Sequence, residues 1–185
     1  MKSIVSLLLL GLIASAGLRA EESKAKKGGN MPITIKSSAF APGAAIPAKF
    51  TGDGANVSPP LTWNGVPPGA KSLALICDDP DAPAGTWVHW VLYGLPATAS
   101  DLPEKVPASE TLSNNAKQGM NDFKKIGYGG PAPPPGKPHR YYFTLYALDV
   151  ELALKAGETK QELLHAMKEH VLGEGQLMGT YQRKK

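Results

Sequence analysis

Cysteine is almost absent: Cys77 is the only one among 185 residues, so no intramolecular disulfide can staple the fold, whatever the redox state of its compartment. It sits in an apolar run, where a lone thiol reads as a small packed hydrophobe rather than a reactive group. Two common local frameworks for hydrolysis are missing as well. Neither a Gly-x-Ser-x-Gly elbow nor a His-Glu-x-x-His pair occurs, so nucleophile activation and zinc hydrolysis lack their usual sequence support. No internal repeat or low-complexity tract is present. Acidic residues are absent before Glu21; with Lys2 and Arg19 set aside from the 20 bases, 18 face 16 acids, a balance too even to suggest a nucleic-acid partner.

What the chain does hold is turn-forming residues. Twenty Gly and 17 Pro, with 42% hydrophobic and 19% charged residues, indicate a globular domain of short strands and loops, long enough for a real core. The amino terminus departs from this pattern. Met1-Lys2 leads into an apolar stretch over 4–17, rich in Leu at 7–10 and too short to span a bilayer comfortably. Residues 1–20 therefore read as a secretory signal peptide, cleaved after Ala16 or, preferably, Ala20. The alternative is an uncleaved anchor. No cysteine near either site offers a lipid attachment, so the expected product is periplasmic or secreted, with no membrane span in its mature form. Residues 21–30 mix charge with Gly and read as a flexible leader, leaving 31–185 as a single domain.

Residues 71–79 form an apolar run closed by acids and Pro80, too short for a typical helix, and predict a buried strand. Residues 87–95 and 141–149 have the same character, and shorter strands are expected at 33–36, 48–51, 61–63 and 177–182. Period-two geometry places Trp87, His89, Val91 and Tyr93 on one face of their strand; it joins His139 to Tyr141 and Phe143 if that strand begins early, with Arg140 opposite. Thr159 and Glu162 form a capping box ahead of a helix expected to reach about Leu172, where Gly173 and Gly175 stop it. A turn or short helix is expected over 151–156. Residues 96–138 read as mostly irregular, and so long a loop in a compact domain is disordered or functional.

Two carboxylates, Asp79 and Asp81, close one predicted strand; His89 lies on the next, and His139 opens a third after a Gly/Pro loop. An imidazole paired with a carboxylate is favoured in its charged form, so His89 or His139 is a candidate anion receptor. Gly129 and Gly130, without Cβ atoms, allow backbone N–H groups to approach an anion, and Pro131, Pro133, Pro134 and Pro135 stiffen that wall. Taken singly, each residue also has a structural explanation. Asp-Pro-Asp-Ala-Pro is a sound strand-ending turn, Trp87 and Trp90 suit a core, and Arg140 suits a structural ion pair. The same His and Asp inventory would serve a hydrolase or a two-His-one-carboxylate metal site, although the local frameworks noted above are missing.

The motifs together resemble one family. Asp79-Pro80-Asp81-Ala82-Pro83, the block from Gly85 to Trp90, the Gly/Pro loop from Gly129 to Tyr141, and Ser58-Pro59-Pro60-Leu61 occur in the order found in the phosphatidylethanolamine-binding proteins, bacterial Raf kinase inhibitor-like branch. Asn121-Asp122-Phe123 and Gly127-Tyr128 resemble the segment leading into that loop. The resemblance implies a mainly β fold of two antiparallel sheets with C-terminal helical segments. It also implies a non-enzymatic binding protein, without cofactor or metal, whose pocket takes a small phosphorylated or carboxylated anion or a phospholipid headgroup. The implied ligand-binding residues are Asp79, Asp81, Pro83, Trp87, His89, Gly130, Pro131, His139 and Tyr141. The two imidazoles would donate to the anion, Asp79 would orient one of them, Tyr141 would offer its hydroxyl, and the Gly130 backbone a donor at the rim. Ala132 stands where many bacterial relatives have Cys, and the link Ala84-Gly85 is short, leaving the entrance more open. Relatives also suggest a second function, a module that inhibits a serine protease or other enzyme through protein contact.

Overall fold

A strand that is apolar at almost every position needs cover on both faces, and the run at 71–79 has it. The computed structural model describes residues 31–183; the expected signal peptide and leader lie outside the described residues. Nine strands are formed among them: β1 (Met31–Pro32), β2 (Thr34–Lys36), β3 (Leu61–Asn64), β4 (Ser72–Asp79), β5 (Trp87–Pro96), β6 (Asp101–Leu102), β7 (Lys117–Gln118), β8 (His139–Leu148) and β9 (Val171–Tyr181). One helix, α1 (Lys160–Ala166), precedes β9. The larger sheet has the order β1-β9-β8-β4-β5-β7 and the smaller β2-β3-β6. All pairings are antiparallel except β1 with β9.

The central strand β4 separates two apolar layers. On one face Leu73, Leu75 and Cys77 join Trp90, Leu92, Phe143 and Leu145, closed by Ile35, Leu61, Trp63 and Leu102 of the small sheet. On the other, Ala74 and Ile76 join Val91 and Tyr93 beneath Leu163 and Met167. Cys77 is fully buried, and burial drives its thiol well above the ordinary range, as expected of a packed hydrophobe. The segment 119–130 covers the edge of β5: the Gly119, Asp122 and Gly129 amides donate to the carbonyls of Val91, Val88 and His89 at 2.9, 3.0 and 2.8 Å. The long irregular stretch is thus hydrogen-bonded into the sheet rather than loose, and it contains β6 and β7.

Three local expectations are corrected. Residues 48–51 are not a strand; a 3-10 turn spans Ala48–Phe50, initiated by Pro47, with the Thr51 amide and hydroxyl both donating to the Ala48 carbonyl. The helix begins as expected, the Thr159 hydroxyl and Glu162 carboxylate each capping the other's backbone amide, but it ends at Ala166 rather than about Leu172. Glu169 turns the chain in a left-handed conformation (φ 68°) and Val171 already pairs with Leu148. Gly173 and Gly175 therefore do not stop a helix but lie within β9. A Cβ at Gly175 would fall 2.0 Å from the Ile33 carbonyl oxygen, so this glycine marks a close approach of two backbones. Of the turn or short helix expected over 151–156, the turn is what forms, at Ala156-Gly157.

Candidate functional site

The end of the central strands holds the chemistry. Asp79 ends β4, His139 opens β8 beside it, and β5 brings Trp87 and His89. His89 owes its position to an irregularity. The β4–β5 pairing steps from Cys77 opposite Trp90 to Asp78 opposite Val88, so His89 is the extra residue of a β-bulge. The bulge inverts the face alternation. His89 lines the cavity with Trp87, whereas Val91 and Tyr93, expected on the same face, pack under α1 on the other. A second step at Gly94 (φ 71°) restores the alternation, returning Leu95 to the layer of Leu92.

Asp79, Pro83, Trp87, His89, His139 and Tyr141 line a cavity of about 210 Å³, together with Ala82, Phe123, Ala132, Pro133 and Pro134. This is smaller than the roughly 300 Å³ floor usual for drug-sized ligands and suits a small group or one end of a larger molecule. Asp79 is 3% exposed and doubly held, its Oδ1 accepting from the Asp81 amide at 2.8 Å and its Oδ2 meeting His139 Nδ1 at 2.8 Å. The carboxylate accepts, so His139 Nδ1 donates, and this bond sets the orientation of the ring.

His89 is arranged differently. Its Nδ1 lies 2.6 Å from the carbonyl oxygen of Gly129, whose own amide donates back to the His89 carbonyl. A carbonyl only accepts, so Nδ1 carries the proton and Nε2 is the acceptor of the neutral ring. Burial lowers the pKa of His89 below its ordinary 6.5, against the opposing pull of the Gly129 carbonyl and the nearby carboxylates. In the ligand-free protein the unfolded chain therefore binds this proton more readily than the native one. The sign follows: the stability associated with neutral His89 is complete above about 6.5 and declines as pH falls toward the lowered native value. Melting temperatures from neutral pH down to about 5 are expected to fall less steeply for His89→Asn, which keeps a donor for Gly129, than for the parent; equal slopes would refute it.

Three of the expected site residues lie elsewhere. Asp81 does not line the cavity. Its carboxylate takes Arg140 Nε at 2.8 Å, the Arg140 backbone amide at 2.9 Å and the second guanidinium nitrogen at 2.6 Å, and Arg140 holds its pKa down to about 2. The guanidinium is half exposed, so solvent screening leaves this pair little weight in stability. Gly130 donates its amide to Asn56 Oδ1 at 2.7 Å, and Gly129 spends its amide on His89, so neither faces the cavity as the anion donor expected of them. Pro131 is buried beside them, its carbonyl accepting from the Gly52 amide at 2.8 Å.

The two cavity donors that remain are unsatisfied. Trp87 Nε1 and the Tyr141 hydroxyl are both buried without a hydrogen-bond partner among the described residues. Burial, then the Asp79 charge and the approach of the hydroxyl to the Asp79 carboxylate, push the Tyr141 phenol far above its ordinary 10, so it stays protonated; that approach does not reach hydrogen-bond geometry. Phe123 is the wall residue the residue-level reading missed. It is 37% exposed at the mouth, with its ring edge-on to Trp87 at 5.4 Å and to His89 at 5.3 Å. Its place in the long loop and in the Asn121-Asp122-Phe123 segment hinted at it, but no strand periodicity reaches that position. No Lys or Arg lines the cavity, and no group of three or more His, Cys, Asp or Glu side chains able to hold a metal occurs among the described residues.

A mainly β two-sheet fold with a small cavity at the end of its central strands defines the class: a binding-protein fold. The chain belongs to the phosphatidylethanolamine-binding protein family, whose pattern residues 36–182 match. A UPF0098 protein of Methanothermobacter thermautotrophicus is 51% identical over 151 residues, covering 82% of this chain and 99% of that protein. A Chlamydia muridarum UPF0098 protein is 46% identical over 156 residues, covering 82% and 99%. Among solved structures, the Chlamydia trachomatis protein CT736, described as a phosphatidylethanolamine-binding protein homolog, superposes with TM-score 0.74 at 42% identity, covering 85% of this chain and all of that one. Escherichia coli YbcL, described as a new member of the mammalian PEBP family, superposes with TM-score 0.76 at 33% identity, covering 82% and 99%.

Proposed function

We propose that this protein is a non-enzymatic binding protein whose cavity takes a small phosphate-like anion, free or as the headgroup of a phospholipid, in an extracytoplasmic space. The observation that carries the reading is the pair of orphaned donors, Trp87 Nε1 and the Tyr141 hydroxyl, in the wall of one small cavity. Buried donors without partners cost about 1–3 kcal/mol each, a cost that a ligand rich in acceptor oxygens removes. The Asp79–His139 pair adds an oriented imidazole. The wall's one carboxylate, Asp79, is already engaged by His139 and the Asp81 amide. The location rests on the acid-free apolar stretch at the amino terminus.

Isothermal titration of the purified protein with inorganic phosphate, phosphoethanolamine and acetate tests this. Both phosphates are expected to bind, acetate more weakly, and His139→Ala to lose at least tenfold in affinity. Absence of heat at millimolar concentrations of all three would reject the reading.

A further inference from the structure

We propose that anion capture by this cavity is coupled to the uptake of one proton from solvent, held on Nε2 of His89. The inference rests on the anion-binding reading above and concerns how that same site balances charge.

The polar inventory of the wall leads there. Trp87 Nε1 and the Tyr141 hydroxyl are neutral donors. Arg140 is committed to Asp81, and the amides of Gly129 and Gly130 are spent within the protein. The one carboxylate in the wall is Asp79, of the wrong sign for an anion and engaged by hydrogen bonds from His139 Nδ1 and the Asp81 amide. An arriving anion therefore needs a positive charge that the empty wall does not spare.

His89 can supply it without rearrangement. Its Nδ1–H donates to the Gly129 carbonyl whether the ring is neutral or charged, so protonation at Nε2 converts the remaining acceptor into a donor and breaks no existing bond. The groups facing the ring explain why the proton waits for the ligand. From β4, Asp79 is engaged by His139 and the Asp81 amide, and Asp78 by Lys160. From the covering loop, Asp122 accepts the Val88 amide at 2.7 Å, and Phe123 presents only its ring. From β8, Tyr141 lies edge-on at 5.2 Å. Each carboxylate is already paired, and with the ring 2% exposed the desolvation of an imidazolium outweighs their pull. His139 differs in geometry, because its Nδ1 donates to a carboxylate rather than to a backbone carbonyl. His89 is thus the group whose protonation changes when an anion enters.

Inorganic sulfate, which has no titrating proton near neutrality, separates a proton on the protein from one on the ligand. Titrating the parent with sulfate above pH 6.5 in two buffers of different ionisation enthalpy is expected to show uptake of about one proton per anion, with affinity falling about tenfold per pH unit. His89→Asn keeps the donor to Gly129 and is expected to abolish the uptake, whereas His139→Asn is expected to retain it. Nitrogen NMR of the parent imidazoles provides a reading that needs no variant: His89 Nε2 is expected to be unprotonated in the free protein and protonated in the sulfate complex. Sulfate binding without proton uptake, uptake surviving in His89→Asn, or binding of phosphate but not sulfate would each overturn the proposal while leaving anion binding standing. No heat from either anion would instead remove the binding reading itself.

Discussion

Tyr141→Phe is expected to raise the melting temperature of the ligand-free protein and, in the same variant, to weaken anion binding at least tenfold. The phenol is 1% exposed and its hydroxyl has no partner among the described residues. An unsatisfied buried hydroxyl costs about 1–3 kcal/mol, and removing it while keeping the ring preserves the packing of Tyr141 against His89. At this chain length each kcal/mol is worth roughly 2–4 °C. The lost donor is charged to the complex instead, where about 1.4 kcal/mol is tenfold in affinity. Opposite signs in the two measurements are the signature of a group retained for a ligand at the expense of the fold. A lower melting temperature with unchanged affinity would show that the hydroxyl serves the fold, and the anion reading would lose its main support.

Gly130→Ala is expected to destabilise the protein by about 2–4 kcal/mol and to weaken binding only as a consequence. A Cβ there would lie 2.7 Å from the Phe50 carbonyl oxygen and 2.8 Å from both Asn56 Oδ1 and the Thr51 carbonyl carbon. Two of these three are backbone atoms, so relief requires the chain to shift, at about 1–3 kcal/mol for overpacking. The shift also strains the bond from the Gly130 amide to Asn56 Oδ1, worth about 1 kcal/mol. Because Ala132, Pro133 and Pro134 follow directly and line the cavity, the wall moves with it. The denaturant midpoint and anion affinity of Gly130→Ala, measured beside Asn56→Ala, test this. Asn56 sits at φ 54°, so its replacement loses both the amide partner and a side chain tolerant of left-handed backbone, and it too should be destabilised. Parent-like stability with abolished binding in Gly130→Ala would mean that the amide turns to the ligand after all.

The contrast between Tyr141 and Gly130 shows what was legible in the chain. Both were expected at the site from the family resemblance, and one lines the cavity while the other braces the loop behind it. Tyr141 was readable because strand periodicity carries it onto the face of His139 and Phe143, and β8 does begin at His139. Gly130 was not, because its role depends on Asn56, 74 residues away. His89 was half legible: its strand and its kinship with Trp87 follow from spacing, but the bulge that separates it from Val91 exists only in the pairing with β4.

The sequence by itself determined the strand segments around β4, β5 and β8, the capping box at Thr159, the buried character of Cys77 and the outward course of Arg140. These follow from dihedral geometry and local apolar pattern, which each segment carries within itself. The tertiary structure alone decided which carboxylate pairs with which cation, which glycine amides are spent, where the helix gives way to β9, and that Phe123 stands at the mouth. The reason is physical: a hydrogen-bonding group has a fixed valence, and its partner is whichever complementary group packing delivers, from 60 residues away for Asp79 and His139 and from 40 for His89 and Gly129.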